Sequence, residues 1–409
     1  MRRQIKVFIF IMVGFVFNLK AQSLENYLKI AADNNPLLKA KYAEFEAALQ
    51  KTAQVNSLPD PQLSFGFFIS PVETRVGPQQ LKIGLAQMFP WFGTLSTGGD
   101  IYKFQAEAKY QEFINSRNEL FMQVKSVWYA IHEVHQKIEL QKENMVILNS
   151  YKKLTTTGFK NNKNSLVDVL RVDILNEKAE SDIMLLEEQL RPLSVQLNQL
   201  INQPVETAVQ FNDSLTIVEI AVDYRKDSLL NNHPMLVSLD LKYQATQQAE
   251  LLAKKQGLPK FGIGLDYVFV GERTDMVVPD NGKNIVMPMV SMSIPIFSNK
   301  YSASKKEAQF KQVALSQYKI DFENSLVTAY EMTRYEVLKS KELFRLYEVQ
   351  IEKTKRAISL LEKAYASSEL DFEEVLRMQQ QLIDYQINQV TAVQSFYTGL
   401  AKLDFLTAK

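Results

Sequence analysis

Three histidines, thirteen methionines and no cysteine bound the chemistry open to this chain. Without cysteine there are no disulfides, zinc–thiolate sites, iron–sulfur clusters, thiol nucleophiles or lipidated N-terminal cysteine. Two histidines stand three apart in His132-Glu133-Val134-His135, on one face of a helix. The order is not the His-Glu-x-x-His of a zinc protease and no third ligand accompanies it, so two polar residues beside an apolar seam is the simpler reading. His233 precedes Pro234 and reads as punctuation at a helix start. Met276, Met287, Met289 and Met292 offer soft thioethers suited to copper, although methionine in a hairpin usually fills apolar space. No Gly-rich phosphate loop or triad spacing appears, so neither an enzyme nor a bound cofactor is expected. Charged residues cluster after two expected helical turns: Asp168 and Arg171 after the first, and Asp371, Glu373, Glu374 and Arg377 after the second. An acid in a helix's first turn favours the helix dipole. Copies of one acid brought together by several chains instead form a negative ring that selects cations. Both roles stay open on the residues alone.

The elements that would hold these residues are written twice. Asn35-Pro36-Leu37-Leu38 recurs as His233-Pro234-Met235-Leu236, Leu58-Pro59-Asp60-Pro61 as Leu258-Pro259-Lys260-Phe261, Phe89-Pro90-Trp91-Phe92 as Ile294-Pro295-Ile296-Phe297, and Asp168-Val169-Leu170-Arg171 as Glu374-Val375-Leu376-Arg377. The order is kept and the offset drifts only from 198 to 206 residues, which indicates an internal duplication. Each half reads as a helix, a strand pair, a very long helix, a tight turn and a return helix. In the first long helix Leu120, Val124, Val127, Ile131, Val134, Ile138, Gln141, Met145 and Leu148 form a coiled-coil seam broken only by the glutamine. The return helix repeats the spacing from Ala179 to Leu200, and the second half repeats it through Leu376, Gln380, Ile383, Ile387, Val390, Gln394, Tyr397 and Ala401. From Thr97 to Thr157 such a helix reaches about 90 Å, the length of a rod or tube wall.

Between the helices the period falls to two. Leu63, Phe65, Phe67 and Ile69, then Leu81, Ile83 and Leu85, then Phe261 to Phe269, then Val290, Met292 and Ile294 give four strands with one apolar face and one small or polar face. That alternation suits a lipid-facing barrel strand and equally a half-buried soluble hairpin. The N-terminus favours the membrane. Arg2, Arg3 and Lys6 precede the apolar run Val7 to Phe17 and a cleavage site after Ala21, the pattern of a secretory signal peptide over 1–21. Its removal takes away four positive charges and no negative ones, moving the formal charge from +1 to −3. With 47 basic and 46 acidic residues the chain has no field to gather nucleic acid, and 46% apolar residues exclude wholesale disorder. Four strands cannot close a membrane barrel, which needs about eight, so the chain is expected to share its sheet with further copies.

With these features the chain resembles the TolC-like outer-membrane efflux family over essentially all of its mature length. The resemblance is carried by the duplicated plan, the prolines at 59, 61, 90 and 295 bracketing the strands, and the Asp/Glu-Val-Leu-Arg signature after each turn. It implies a mainly α chain with a shared transmembrane β-barrel. Three copies would build a 12-stranded barrel continued by a long periplasmic α-helical barrel, in the outer membrane of a Gram-negative bacterium. The expected division is a signal peptide 1–21, a first repeat 22–202 with its strand pair in 62–89, a connecting segment 203–227, and a second repeat 228–409 with its strand pair in 260–294.

The implied partners are two further copies, outer-membrane lipid, a periplasmic adaptor and an inner-membrane pump. The implied function is the exit duct of a tripartite efflux system. Leu58-Pro59-Asp60-Pro61 and Gln87-Met88-Phe89-Pro90-Trp91-Phe92-Gly93 are similar to strings of the heavy-metal efflux branch, which makes metal cations the expected cargo. Drugs, other small molecules or secreted protein are the alternative cargoes, and a secreted coiled-coil scaffold is the alternative of another class. By resemblance Glu374, Glu373, Asp371, Asp168, Arg377 and Arg171 are candidates for a periplasmic gate. Gly158, Asn161, Asn162, Ser367 and Ser368 form the expected adaptor-contacting turns, where asparagine and serine stand in place of the family's usual glycine.

Overall fold

A computed structural model of the chain describes residues 23–163, 165–210, 215, 217, 232–367 and 371–408. The expected signal peptide 1–21, Ser368 and most of the expected segment 203–227 lie outside them. The first half consists of α1 (Leu24–Asn34), α2 (Pro36–Asn56), β1 (Gln62–Thr74), β2 (Gly77–Phe89), α3 (Thr94–Lys160) and α4 (Leu166–Leu200). The second consists of α5 (Pro234–Gln256), β3 (Lys260–Val270), β4 (Ile285–Ser293), α6 (Asn299–Ala366) and α7 (Phe372–Leu406). The plan of helix, strand pair, long helix and return helix is thus present twice.

The matched sequence strings do matched work. Asn35 caps α2 by accepting the Leu38 N–H at 3.1 Å, with Pro36 in the first helical turn. His233 caps α5 in the same way, its Nδ1 accepting the Met235 N–H at 3.3 Å ahead of Pro234. Prolines 59 and 61 stand just before β1, Pro90 just after β2 and Pro295 just after β4, where a missing N–H costs neither ladder nor helix. The long helices α3 and α6 have 67 and 68 residues, about 100 Å each. On α3 the predicted seam is buried from Leu120 to Leu148, with Met145 half-buried and Gln141 inside. On α7 the prediction is off by one at its glutamine: Gln380 is exposed and Gln379 is buried. The apolar stripe there is wider than a strict two-position seam, taking in Val375, Leu376, Leu382 and Ile383.

The contacts divide the chain into two units, each drawing on both halves. One gathers Met1–Asp33, Val127–Val218 and Tyr347–Gln394. Its core joins Leu148, Tyr151, Val172, Ala179, Phe372, Val375 and Leu376, and a second cluster joins Ile351, Ile358 and Leu382. The other gathers Asn34–Ser126, Glu219–Leu346 and Ser395–Lys409 and holds the sheet. Here His233 is 1% exposed between the rings of Phe322 and Phe405, at 5.2 and 6.0 Å, and burial pulls its pKa down to about 4. Ion pairs tie the helices of this unit together: Lys242 to Glu112 at 2.6 Å, Lys319 to Asp240 at 2.8 Å and Lys125 to Asp404 at 3.1 Å.

The sheet is antiparallel in the order β1-β2-β3-β4, so β2 and β3 join the two halves and β1 and β4 form the edges. Pro71 falls in the register shift of β1, and Pro288 lies on β4, both on edge strands where a proline is tolerated. Directly opposed residues share a face. Phe65, Ile83, Tyr267 and Val286 lie in one row of one face, and Leu63, Leu85, Leu265 and Pro288 in another. Most of these side chains are exposed, Phe67 at 78% and Val290 at 84%. The opposite face carries Ser64, Gly66, Lys82, Gly84, Gly262, Gly264, Asp266 and Ser291, with Lys82 and Asp266 in an ion pair. Among the described residues no helix is long and apolar enough to cross a membrane.

Candidate functional site

The two helical turns, in the first of the units, hold the charged residues singled out from sequence. The first turn is closed by backbone geometry. Asn162 adopts φ 56°, the left-handed conformation that asparagine tolerates, so its N–H reaches the Phe159 carbonyl at 3.0 Å and the Lys163 N–H reaches the Gly158 carbonyl at 2.8 Å. This pair of bonds satisfies carbonyls that the helix end leaves open. Asn161 lies within the same turn and donates its N–H to Thr157 and Gly158. Helix α4 then starts on a capping box: the Ser165 hydroxyl accepts the Val167 N–H at 2.9 Å, and the Asp168 carboxylate accepts the Ser165 N–H at 3.1 Å. Asp168 therefore works locally, on its own helix.

At the second turn Ser367 donates its hydroxyl to the Ala364 carbonyl at 3.0 Å. Asp371 is exposed and accepts the Glu374 N–H on its carbonyl at 3.4 Å. Phe372 begins α7 and is 3% exposed, its ring edge-on to Tyr151 at 5.3 Å and tilted against Tyr365 at 5.0 Å. This aromatic contact brings the second turn against α3. The Tyr151 hydroxyl donates to Glu362 at 2.8 Å, and burial followed by that bond pushes its pKa up.

The duplicated arginines behave differently. Arg171 of α4 donates to Glu373 of α7 at 2.6 Å, an ion pair between the two halves of the chain. Arg377 instead pairs with Glu374 on its own helix, one turn back. Of the six charged residues, the structure therefore joins Arg171 with Glu373 and Glu374 with Arg377, while Asp168 serves as a cap.

A chain of buried amides runs through the same unit and was missed from sequence. Gln379 donates to Asn144 at 3.1 Å, Asn144 to Gln141 at 3.5 Å and Gln141 to Asp182 at 3.3 Å, with Lys178 on Asp182 at 2.7 Å. These groups line a cavity of about 250 Å³ together with Leu148, Leu175 and Ile383. Because a buried amide is costly unless bonded, the chain fixes the register of α3, α4 and α7. Its sequence signal was the break at Gln141, which marked one member and none of the partners.

The metal reading of the histidines loses its geometry. His132 is buried and stacks on Trp128 at 5.9 Å, whereas His135 is exposed. The carboxylate between them, Glu133, holds Lys137 at 2.7 Å and accepts the Thr391 hydroxyl at 2.8 Å. Among the described residues no three His, Cys, Asp or Glu side chains gather as metal ligands.

Comparison with known proteins agrees with the architecture. Residues 27–203 match the family model described as outer membrane efflux protein. No curated protein sequence matches the chain. Among solved structures it is similar to the outer-membrane channel OprN, at 15% identity and TM-score 0.77 over 94% of this chain and 89% of that one. It is similar to the outer membrane protein VceC of Vibrio cholerae, at 13% identity and TM-score 0.75 over 94% and 95%. CusC, studied for conformational changes on folding and transmembrane channel formation, aligns at 12% identity and TM-score 0.78 over 94% and 91%. The fold and the match over residues 27–203 agree with the resemblance drawn from the duplicated plan.

Proposed function

We propose that the chain is a TolC-like outer-membrane efflux protein, the exit duct of a tripartite efflux system for heavy-metal cations, a reading supported by its fold and by the family match over residues 27–203. One observation carries the duct reading: a four-stranded sheet with one apolar face exposed and with β1 and β4 as edges. In lipid each unpaired backbone group costs several kcal/mol, and no barrel of fewer than about eight strands closes. Three copies supply twelve strands and pair every edge. Trp91 at the end of β2, 5.8 Å from Phe261, and the exposed Phe92 and Phe297 supply the aromatic girdle such a barrel sets at the membrane surface. Exposed apolar residues along α6, among them Phe310, Val313, Met332, Tyr335 and Leu360, suit contact with the neighbouring copies in an α-helical barrel.

In this reading the two turns form the periplasmic mouth. Asp371, Glu373 and Glu374 of three copies make it negative, Arg171 and Arg377 hold it closed, and Asp168 secures the start of α4. Gly158, Asn161, Asn162 and Ser367, with Ser368, present the surface for the adaptor, and an inner-membrane pump supplies the energy. A leader over 1–21 brings the chain to the outer membrane. The division into repeats 22–202 and 228–409 about a segment 203–227 belongs to the same proposal. Metal cargo is supported by the strings at 58–61 and 87–93.

Deleting the gene should sensitise a strain to copper, silver or zinc and leave it resistant to a drug panel. The reverse pattern would assign drugs as the cargo. Detergent-free extraction of the protein as a soluble species would instead favour the secreted scaffold and remove the duct.

A further inference from the structure

We propose that Lys82 sets the ion selectivity of the β-barrel: by pairing with Asp266 it masks an acid on the lumen wall, so that cations leave the duct without being held there. The inference deepens the duct reading above and rests on it for the assembled channel. The charged residues of the four strands are Glu73, Lys82, Lys260 and Asp266. Glu73 stands next to the loop end of β1 and Lys260 opens β3, which leaves Lys82 and Asp266 within the sheet. Both lie on the small-residue face. The row Ser64, Gly84, Asp266 and Met287 runs between the apolar rows that begin at Leu63 and Phe65. The acid therefore sits at the height of side chains that meet lipid in the duct reading. An ionisable residue at membrane depth faces a partner or a water-filled path, and on a barrel's inner wall it tunes selectivity.

The carboxylate is built into the wall. Gly84 faces Ser64 on one side and Asp266 on the other. A β-carbon on Gly84 would come within 2.5 Å of Asp266 Oδ1 and 2.7 Å of Ser64 Oγ. Asp266 thus lies flat across the glycine and is 2% exposed. Lys82, two residues before Gly84 and opposite Gly66, forms an ion pair with this carboxylate while its own side chain stays 36% exposed. The acid is covered, and the base reaches the open side.

A carboxylate stripped of a buried partner is left with an uncompensated charge. In a trimer, three bare Asp266 side chains would ring the lumen, and such acidic rings select cations. Conduction also requires sites weak enough to leave. A bare ring would therefore retain the divalent cations that the duct exports, whereas neutral pairs leave the wall without a charge preference. Joining β2 to β3 does not need the pair, because the backbone ladder already runs from Gln79–Val270 to Phe89–Phe261.

The test measures reversal potentials of the full-length channel in planar bilayers, across a gradient of dilute potassium chloride that screens charge least. Lys82→Met keeps the length of the side chain and removes its charge. It should raise the ratio of potassium to chloride permeability about threefold or more, the pull of unit charges about 10 Å from the path in water. Asp266→Asn removes the buried charge and leaves a lysine that reaches water, so it should fold even where Lys82→Met does not; it should shift the ratio the other way. The double variant should return to the unaltered value. Zinc(II) added on the barrel side should reduce the current more in Lys82→Met than in the unaltered channel. Because the chain contains no cysteine, Lys82→Cys offers a unique thiol. A water-borne cationic thiol reagent added to the assembled Lys82→Cys channel should restore the unaltered ratio, and an uncharged reagent should not. Conducting channels with the same ratio in Lys82→Met and Asp266→Asn as in the unaltered protein overturn the masking role and leave the duct standing. A Lys82→Cys thiol that the reagents do not reach overturns the proposal by placing the side chain away from the lumen. A protein that forms no channels in any variant removes the duct, and this proposal with it.

Discussion

Replacing Glu373 by glutamine removes the charge that holds Arg171 across the two halves while keeping the shape of the side chain. The pair is short, 2.6 Å, but its side chains are 41% and 58% exposed, so water screens it. Exposed pairs contribute about 0.5 kcal/mol each, and three breaking together in the proposed trimer would shift the closed state by about 1.5 kcal/mol. That is about tenfold in the ratio of closed to open channels. Single-channel recording in planar bilayers at about 0.1 M salt should show Glu373→Gln open about ten times more of the time. At about 1 M salt the Debye length falls to about 3 Å, so the unaltered channel should approach the variant. The swap Arg171→Glu with Glu373→Arg restores an opposite-charge pair and should restore closure. Equal open occupancy in Glu373→Gln and the unaltered channel at low salt, or a swap as leaky as the single change, would refute the gate role of the pair.

Asp168→Ala should loosen the start of α4 by about 1 kcal/mol through loss of the capping box, seen as faster hydrogen exchange at residues 165–168, with little change in conductance. Asn162→Gly should be nearly neutral and Asn162→Ala destabilising by about 1 kcal/mol, because only the first accepts φ 56° without strain; thermal melts of the two variants compare them. Phe372→Ala should cost about 3–5 kcal/mol by emptying the pocket against Tyr151 and Tyr365, read as a lowered melting temperature and proteolysis near the second turn. For His233 burial lowers the folded pKa to about 4 from 6.5, so the unfolded chain binds the proton more tightly. Its contribution, on the order of 3 kcal/mol, is complete above pH 6.5 and lost as pH falls toward 4. Denaturation of His233→Asn, which keeps a capping side chain, should show a flatter pH slope than the unaltered protein between pH 4.5 and 7.5, and an equal slope would count against the buried neutral imidazole.

What the sequence determined by itself is everything whose cause lies within a turn or two of chain. The seam from Leu120 to Leu148 follows from helical period, the alternation of β1 to β4 from strand period, and the caps at Asn35 and His233 from a side-chain acceptor placed ahead of a proline. The duplication carried each of these readings from one half to the other. It was silent where two stretches of chain must meet. The Arg171–Glu373 pair spans 202 residues, and the bond from Gln379 to Asn144 spans 235. Neither separation leaves a periodic trace. The duplication even suggested that Arg171 and Arg377 play equal parts, whereas packing gives one a partner across the halves and the other a partner on its own helix. The methionines show the same limit: only the register of β3 on β4 puts Met292 opposite Phe261 on the apolar face and Met287 and Met289 on the other. Local pattern chooses the element, because backbone hydrogen bonds and side-chain period act over a few residues. Which faces meet is decided by long-range packing, since only the folded chain brings their side chains into contact.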